Sequence, residues 1–267
     1  IAAYIINKKN KKEWVMDIGD PFTLKKDAPE NNRILYGFLN RYYENKFYSL
    51  ASKIIFTHED ARSAHIDYFD IETIKTYIGN PISNFKEEIY SASLEYNYNS
   101  HPKKFGYFGV FTKGVRSPKN FMNFFKETEN IEFHWYVNDD SKNEIVSHNK
   151  KLNSIFHSIV EREEALKLMA GSFHCLVSIG NLNTTQIPSK VIEYISTGKP
   201  VIHFSEVEND PVKNIANEFQ NLFIISETSN KENLLNQLNS FYKDISTFNK
   251  ELFIEKYTSN SITEILN

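Results

Sequence analysis

One cysteine, nine glycines and no long apolar run mark what this 267-residue sequence lacks. The lone Cys175 excludes an intrachain disulfide and fits a reducing compartment. No stretch approaches the ~18 apolar residues of a membrane-spanning helix. Charge of one sign is scarce as well. The 31 Lys and Arg against 34 Asp and Glu leave a formal net charge of −3, so no global basic field draws in nucleic acid or anionic lipid. The first hundred residues hold only Gly19, Gly37 and Gly79, which excludes a glycine-rich phosphate loop there. The eight histidines show no ligand-pair spacing of the kind that marks zinc.

What is present is enough apolar side chain, 40% with 14% aromatic, to build real cores. "IAAYIINKKNKKEW" has no initiating Met, and its charges follow its apolar run, the reverse of a secretory signal. It reads as the end of a helix, and we expect a fragment. "WVMDIGDPF" reads as a strand, residues 32–51 as a helix, "KIIFTHED" (53–60) as a buried strand and polar turn, "EDARSAHIDYF" as a helix, and 75–82 as a strand. Residues 83–103 lose periodicity and form a candidate hinge ahead of a second alternation. There, strands are expected at 104–111, 131–137, 173–180 and 221–226. Helices are expected at "SPKNFMNFFKETEN", 161–172, 188–197 and 230–244, with an amphipathic helical tail. Asp139 and Asp140 read as a solvated loop. The βαβ order favours an α/β fold of two lobes with parallel sheets.

The segment "QIPSKVIEYISTGKPVI" (186–202) carries the chemistry. Pro188 fits the first helical position, or Ser189 the N-cap, and Gly198 with Pro200 stops the helix. A helix entered from a parallel strand sets its free N–H groups at the sheet edge where ligands bind. Lys190 adds charge there, and Glu193 could accept two hydrogen bonds from a ribose diol. A capped helix with Lys190 and Glu193 paired at i,i+3, worth only ~0.2–0.5 kcal/mol, explains the same letters.

This segment resembles the donor-binding region of family 4 glycosyltransferases of the GT-B fold, in the bacterial subgroup where Pro-Ser-Lys leads into a Glu-Tyr helix. "WVMDIGDPF" resembles the family's Asp-x-Arg-Asp-Pro-Trp segment and "ASKIIFTHED" its Ser/Thr-x-Glu turn. "YIGNPI" resembles its Ile-Pro-Asn-Gly strand and "FGYFGVFTKGVRSPKNF" the opening of its second lobe. The resemblance implies an acceptor lobe over residues 1–95 with its first strands absent, a nucleotide-sugar donor lobe over 96–245, and a C-terminal helix over 246–267 packing back on the first lobe. It implies that Arg116, helped by Lys113, meets the donor diphosphate, that Ser189 and Lys190 lie at the phosphates, and that Glu193 binds ribose. Arg116 and Lys190 would then stabilise the leaving diphosphate. It further implies transfer with retention, no metal or cofactor, a glycan or lipid-linked acceptor, bacterial surface-polysaccharide assembly, and a cytoplasmic location with peripheral contact at the inner membrane face. Three positions depart from the family: Thr185 stands where a second glutamate is common, Gly19 for an arginine and Phe22 for a tryptophan.

Other constellations weigh less. Asp17 and Asp20 could orient an acceptor hydroxyl, cap a helix or line the cleft. "HED" at 58–60 favours a strand-end turn over acid–base work, and His174 and His203 favour core or edge positions on strands. Cys175 lies in a core strand. "RYYENKFYSL" interleaves basic and aromatic residues as single-stranded nucleic-acid binders do, but its helical spacing favours a buried face, and no nucleic-acid partner is expected. The rival functions are a non-catalytic GT-B-like protein that binds a nucleotide sugar or partner, and a nucleotide-sugar epimerase.

Overall fold

The computed structural model describes residues 13–19, 22–24, 33–148, 151–184, 186–245 and 248–266. The helical end expected over residues 1–12, Asp20 and Thr185 lie outside them. In the first lobe, β1 (Val15–Ile18), β2 (Lys53–Phe56) and β3 (Thr76–Ile78) pair in parallel in that order. Helices α1 (Arg33–Leu50) and α2 (Glu59–Phe69) connect them. The apolar, β-branched "KIIF" makes β2 the central strand, with Ile54, Ile55 and Phe56 buried. The "HED" turn is a helix start. His58 Nδ1 accepts from Ala61 N at 3.4 Å, and Glu59 and Asp60 complement the N-terminal dipole.

The buried face expected for "RYYENKFYSL" is narrower in the structure. Among the described side chains of α1 only Glu44 and Tyr48 are buried, while Tyr36, Phe38, Leu39, Tyr42, Tyr43 and Leu50 are exposed. A three-stranded sheet offers α1 one contact stripe, so the rest of its aromatic surface lies outside that contact.

The chain crosses to the second lobe through residues 79–86, which form no helix or strand. The candidate hinge over 83–103 is corrected here: it holds α3 (Glu87–Leu94), packed with its buried Ile89 against the second lobe. Its eight residues bury only Ile89 and Ser93, too few for a visible period. The second lobe is a six-stranded parallel sheet in the order β6-β5-β4-β7-β8-β9. Its strands are β4 (Lys103–Phe108), β5 (Ile131–Tyr136), β6 (Ser154–His157), β7 (Cys175–Ile179), β8 (Val201–Phe204) and β9 (Leu222–Ile225). Helices α4 (Lys119–Phe125), α5 (Asp139–His148), α6 (Arg162–Ser172), α7 (Ser189–Ile195), α8 (Val212–Ala216) and α9 (Lys231–Phe241) cover its two faces. One face packs Phe105, Phe121, Phe133, Trp135 and Phe204 under α4, α5 and α9. The other packs Met169, Leu176, Val191 and Ile192 with α6, α7 and α8. Each fully buried side chain of this size contributes about 1.5–3 kcal/mol.

Asp139 and Asp140 are therefore not in a loop; they open α5, exposed, at the end where helix polarity favours carboxylates. Cys175 is fully buried, and burial pushes its thiol up. His174 and His203 are both fully buried.

The tail forms two helices. α10 (Lys250–Tyr257) stays on the second lobe through Phe253, Tyr257 and the Lys256–Glu218 ion pair at 2.9 Å. α11 (Ser259–Leu266) lies against the first lobe, where Lys53 Nζ donates to the carbonyls of Ile265 and Leu266 at 2.8 and 3.1 Å. The chain thus passes between the lobes twice, and the two passages touch where Ser83 N donates to the Tyr257 carbonyl at 2.8 Å.

Candidate functional site

From β4 the chain runs outward to β5 and β6, then returns to β7 on the other side of β4. Strand order reverses between β4 and β7, and the crevice above their carboxyl ends is where open α/β sheets receive ligands. A cleft of about 580 Å³ opens at this edge, walled on the crossing side by Ile82 and Ser83.

The loops after β4 and β7 are stitched together. The turn at 112–116 folds back by Val115 N and Arg116 N bonding to Thr112 O, with Gly114 at φ +78° supplying the left-handed residue. Leu182 N then donates to Val115 O at 2.8 Å, and Arg116 Nη2 donates to Asn181 Oδ1 at 2.8 Å. Asn181 Nδ2 in turn donates to the Gln186 carbonyl just before α7. Arg116 is held at the cleft wall by this relay.

Pro188 occupies the N-cap position and Ser189 opens α7, so neither side chain caps the helix. The helix is anchored by Tyr194, whose hydroxyl accepts from Phe108 N at 3.0 Å and donates to Phe108 O at 2.9 Å. Burial holds that phenol well above its usual range, so it remains a donor. Phe108 stacks on Tyr136 with centroids 4.4 Å apart, and Tyr136 stacks on His157 at the same distance. Phe108 and Tyr136, together with Ile159, Val160 and Ala165, give the cleft an apolar wall.

Glu193 is the buried carboxylate of the cleft. Its Oε1 accepts from Arg162 Nε at 2.9 Å, and its Oε2 faces Lys190 Nζ at 3.4 Å. The i,i+3 pairing with Lys190 and the cleft position therefore hold together. Arg116, Ser189, Lys190 and Glu193 all line one cavity. Lys113 is exposed at the turn and is not among the lining residues. Asp17 is an exposed residue of β1, also outside this cleft. Arg162 and Tyr136 are cleft groups that the sequence reading missed, as is Asn181, the buried partner of Arg116 behind the wall. Arg162 lies 31 positions from its partner, and only the helix start at "EREE" marks its place.

Beside the site, Ser178 Oγ, His203 and Asp210 form a hydrogen-bonded line, with His203 Nδ1 3.0 Å from Ser178 and His203 Nε2 2.9 Å from Asp210. Burial alone would raise the Asp210 carboxyl. The His203 hydrogen bond and charge, with the Val212 N–H, outweigh it and hold the group below its usual value. All three residues are buried, so the line fixes the loop after β8 and presents no nucleophile to solvent. Among the described residues, no group of three or more His, Cys, Asp or Glu side chains is placed to hold a metal ion.

No family model and no curated protein matches the chain. Solved structures do. The sucrose-phosphate synthase of Thermosynechococcus elongatus superposes with a TM-score of 0.69 at 10% identity, over 99% of this chain and 68% of its own. HepE of Anabaena, in complex with UDP and glucose, gives 0.67 at 12% identity over 99% and 74%. WaaG, a glycosyltransferase involved in lipopolysaccharide biosynthesis, gives 0.56 at 14% over 98% and 76%. At such identities the fold is what is shared: two parallel-sheeted α/β lobes in the GT-B arrangement of these glycosyltransferases.

Proposed function

We propose that the chain is a glycosyltransferase that moves a sugar from a nucleoside-diphosphate donor to a glycan or lipid-linked acceptor. The observation that carries this reading is one cavity holding a buried carboxylate, Glu193, between an apolar aromatic wall and the cations Arg116 and Lys190. A nucleoside diphosphate has three parts that match: a flat apolar base, a diol that donates two hydrogen bonds, and a dianionic diphosphate. The complex of HepE with UDP and glucose, on the same fold, supports the match.

In this reading the base lies along Tyr136, Ile159 and Val160, the ribose hydroxyls donate to Glu193, and the diphosphate meets Arg116, Ser189 and Lys190. α7 has only seven residues, so its dipole is a minor part of the field and the side-chain cations do most of the work. As the bond from the anomeric carbon to the phosphate oxygen breaks, negative charge grows on the diphosphate, and fixed cations favour that state over the ground state. The acceptor hydroxyl gives its proton to the departing phosphate while its oxygen bonds the same face of the anomeric carbon, which retains configuration. Arg116 and Lys190 supply the positive charge, and no metal takes part. Lys113 remains a peripheral helper at most, and Asp17 and Asp20 belong to the acceptor side. The resemblance of the 186–202 segment supports surface-polysaccharide assembly in a bacterial cytoplasm, with the enzyme peripheral to the inner membrane face.

Calorimetric titration with UDP, GDP, ADP and dTDP tests the reading. One nucleotide should bind, and Glu193→Ala should weaken it by about tenfold or more, the loss of at least one charged hydrogen bond. A folded chain that binds none of the four, or binds one equally well without Glu193, overturns it.

A further inference from the structure

Arg162 is an odd residue for its place. It opens α6, where a cation opposes the helix dipole, and the acids that suit the position, Glu163 and Glu164, follow it. Glu163 is engaged elsewhere, facing Lys86 at 3.6 Å. Arg162 instead spans from α6 to α7 and donates from Nε to Glu193 Oε1 at 2.9 Å, although its own side chain is 60% exposed and that of Glu193 only 10%. Among the described residues the only other cation on this carboxylate is Lys190, on the same helix, at the long distance of 3.4 Å. A carboxylate so withdrawn from water keeps a fixed orientation only if charged donors replace the water. The single short bond comes from Arg162.

Resting on the donor-site reading above, we infer that Arg162 is a positioning residue for Glu193, a guanidinium that holds the carboxylate turned into the cleft to accept the ribose diol. Its Nε occupies one lone pair of Oε1 and leaves the remaining acceptor positions to the ligand. A cation supplied by a neighbouring helix also makes the geometry depend on the α6–α7 spacing rather than on a flexible i,i+3 lysine.

The test is a double-mutant cycle on nucleotide affinity, titrating UDP, GDP, ADP and dTDP into the wild-type chain, Arg162→Ala, Arg162→Lys, Glu193→Gln and Arg162→Ala/Glu193→Gln, with melting temperatures alongside. Arg162→Ala should weaken the bound nucleotide by about tenfold, and the double variant should bind no worse than Glu193→Gln alone. Arg162→Lys should recover most of the loss, and Arg162→Ala should melt within about 2 °C of wild type, as an exposed partner predicts. Additive losses in the cycle would make Arg162 an independent contact and overturn the inference. So would an Arg162→Ala affinity within twofold of wild type, or a melting loss that accounts for the weaker binding. If Glu193→Gln itself binds normally, or no nucleotide binds the wild-type chain, the ribose reading falls and takes this inference with it.

Discussion

Adjacent residues of α7 divide structure from chemistry. Tyr194 closes a two-way hydrogen bond with the Phe108 backbone at the end of β4, and Glu193 beside it presents its carboxylate to the cleft. The Glu-Tyr pair is thus a cleft carboxylate bolted down by its neighbour. Tyr194→Phe should destabilise the lobe by about 2–4 kcal/mol, because both the N–H and the C=O of Phe108 lose a buried partner. Urea unfolding reads this directly, and a change below about 0.5 kcal/mol would mean that water reaches Phe108. Nucleotide affinity should fall in the same variant, since α7 loses its anchor to the aromatic wall. At this scale the site was half legible. Lys190 and Glu193 share one short helix, and their spacing announces them. Arg116 and Asn181 meet across 65 positions and Arg162 and Glu193 across 31, so no local pattern could pair them.

At the scale of elements, the turn that ends α7 is bound to the opposite edge of the sheet. Gly198 sits at φ +74° with the Tyr90 ring against it, where a Cβ would fall 2.5 Å from a ring carbon. Lys199 then points inward. Its Nζ donates to Phe173 O at 2.7 Å and to the Tyr98 hydroxyl at 3.2 Å, and lies 3.8 Å from the Tyr96 ring centre. Burial brings this ammonium down to about 6. A group whose folded pKa lies below its unfolded value binds fewer protons when folded, so stability rises with pH between the two values. Between pH 7 and 8.5, above the histidine titrations, Lys199 should add about 1.4 kcal/mol per pH unit. Lys199→Met should flatten that slope in denaturant midpoints; an unchanged slope would place the titration elsewhere. The elements that escaped the sequence reading share a cause. β6 is a four-residue strand with every residue half-buried, and α5 buries only Ser141 and Ile145. Periodicity reports burial contrast, and these segments have little. β7 was legible by another signal, an unbroken apolar run with all five residues buried.

For the whole molecule, the cleft is almost entirely a second-lobe structure, and only Ile82 and Ser83 reach it from the crossing. Hence a chain ending at Tyr257, without α11, should keep nucleotide affinity within about threefold while the crossing at 79–86 becomes easier to cut by protease, as expected when a local unit loses its contacts. Affinity lost together with α11 would show that the lobes form the site jointly. The expectation of two parallel-sheeted lobes was legible because βαβ alternation repeats on both sides of a break. The position of the break was blurred by α3, whose residues belong to the second lobe although they follow the crossing.

The paired passages carry one more meaning. The second lobe begins near Ser83 and ends near Tyr257, and those two points are joined by a 2.8 Å hydrogen bond. Entry and exit side by side are the mark of an insertion: residues 83–257 form a cassette, and the chain lies on the other lobe just before it, at β3, and just after it, at α11. A cassette of this kind can be lifted out and exchanged for that of another protein with only two neighbouring joints to heal. On the proposed reading, exchange would change the nucleotide that Glu193 selects while leaving the opposite lobe untouched.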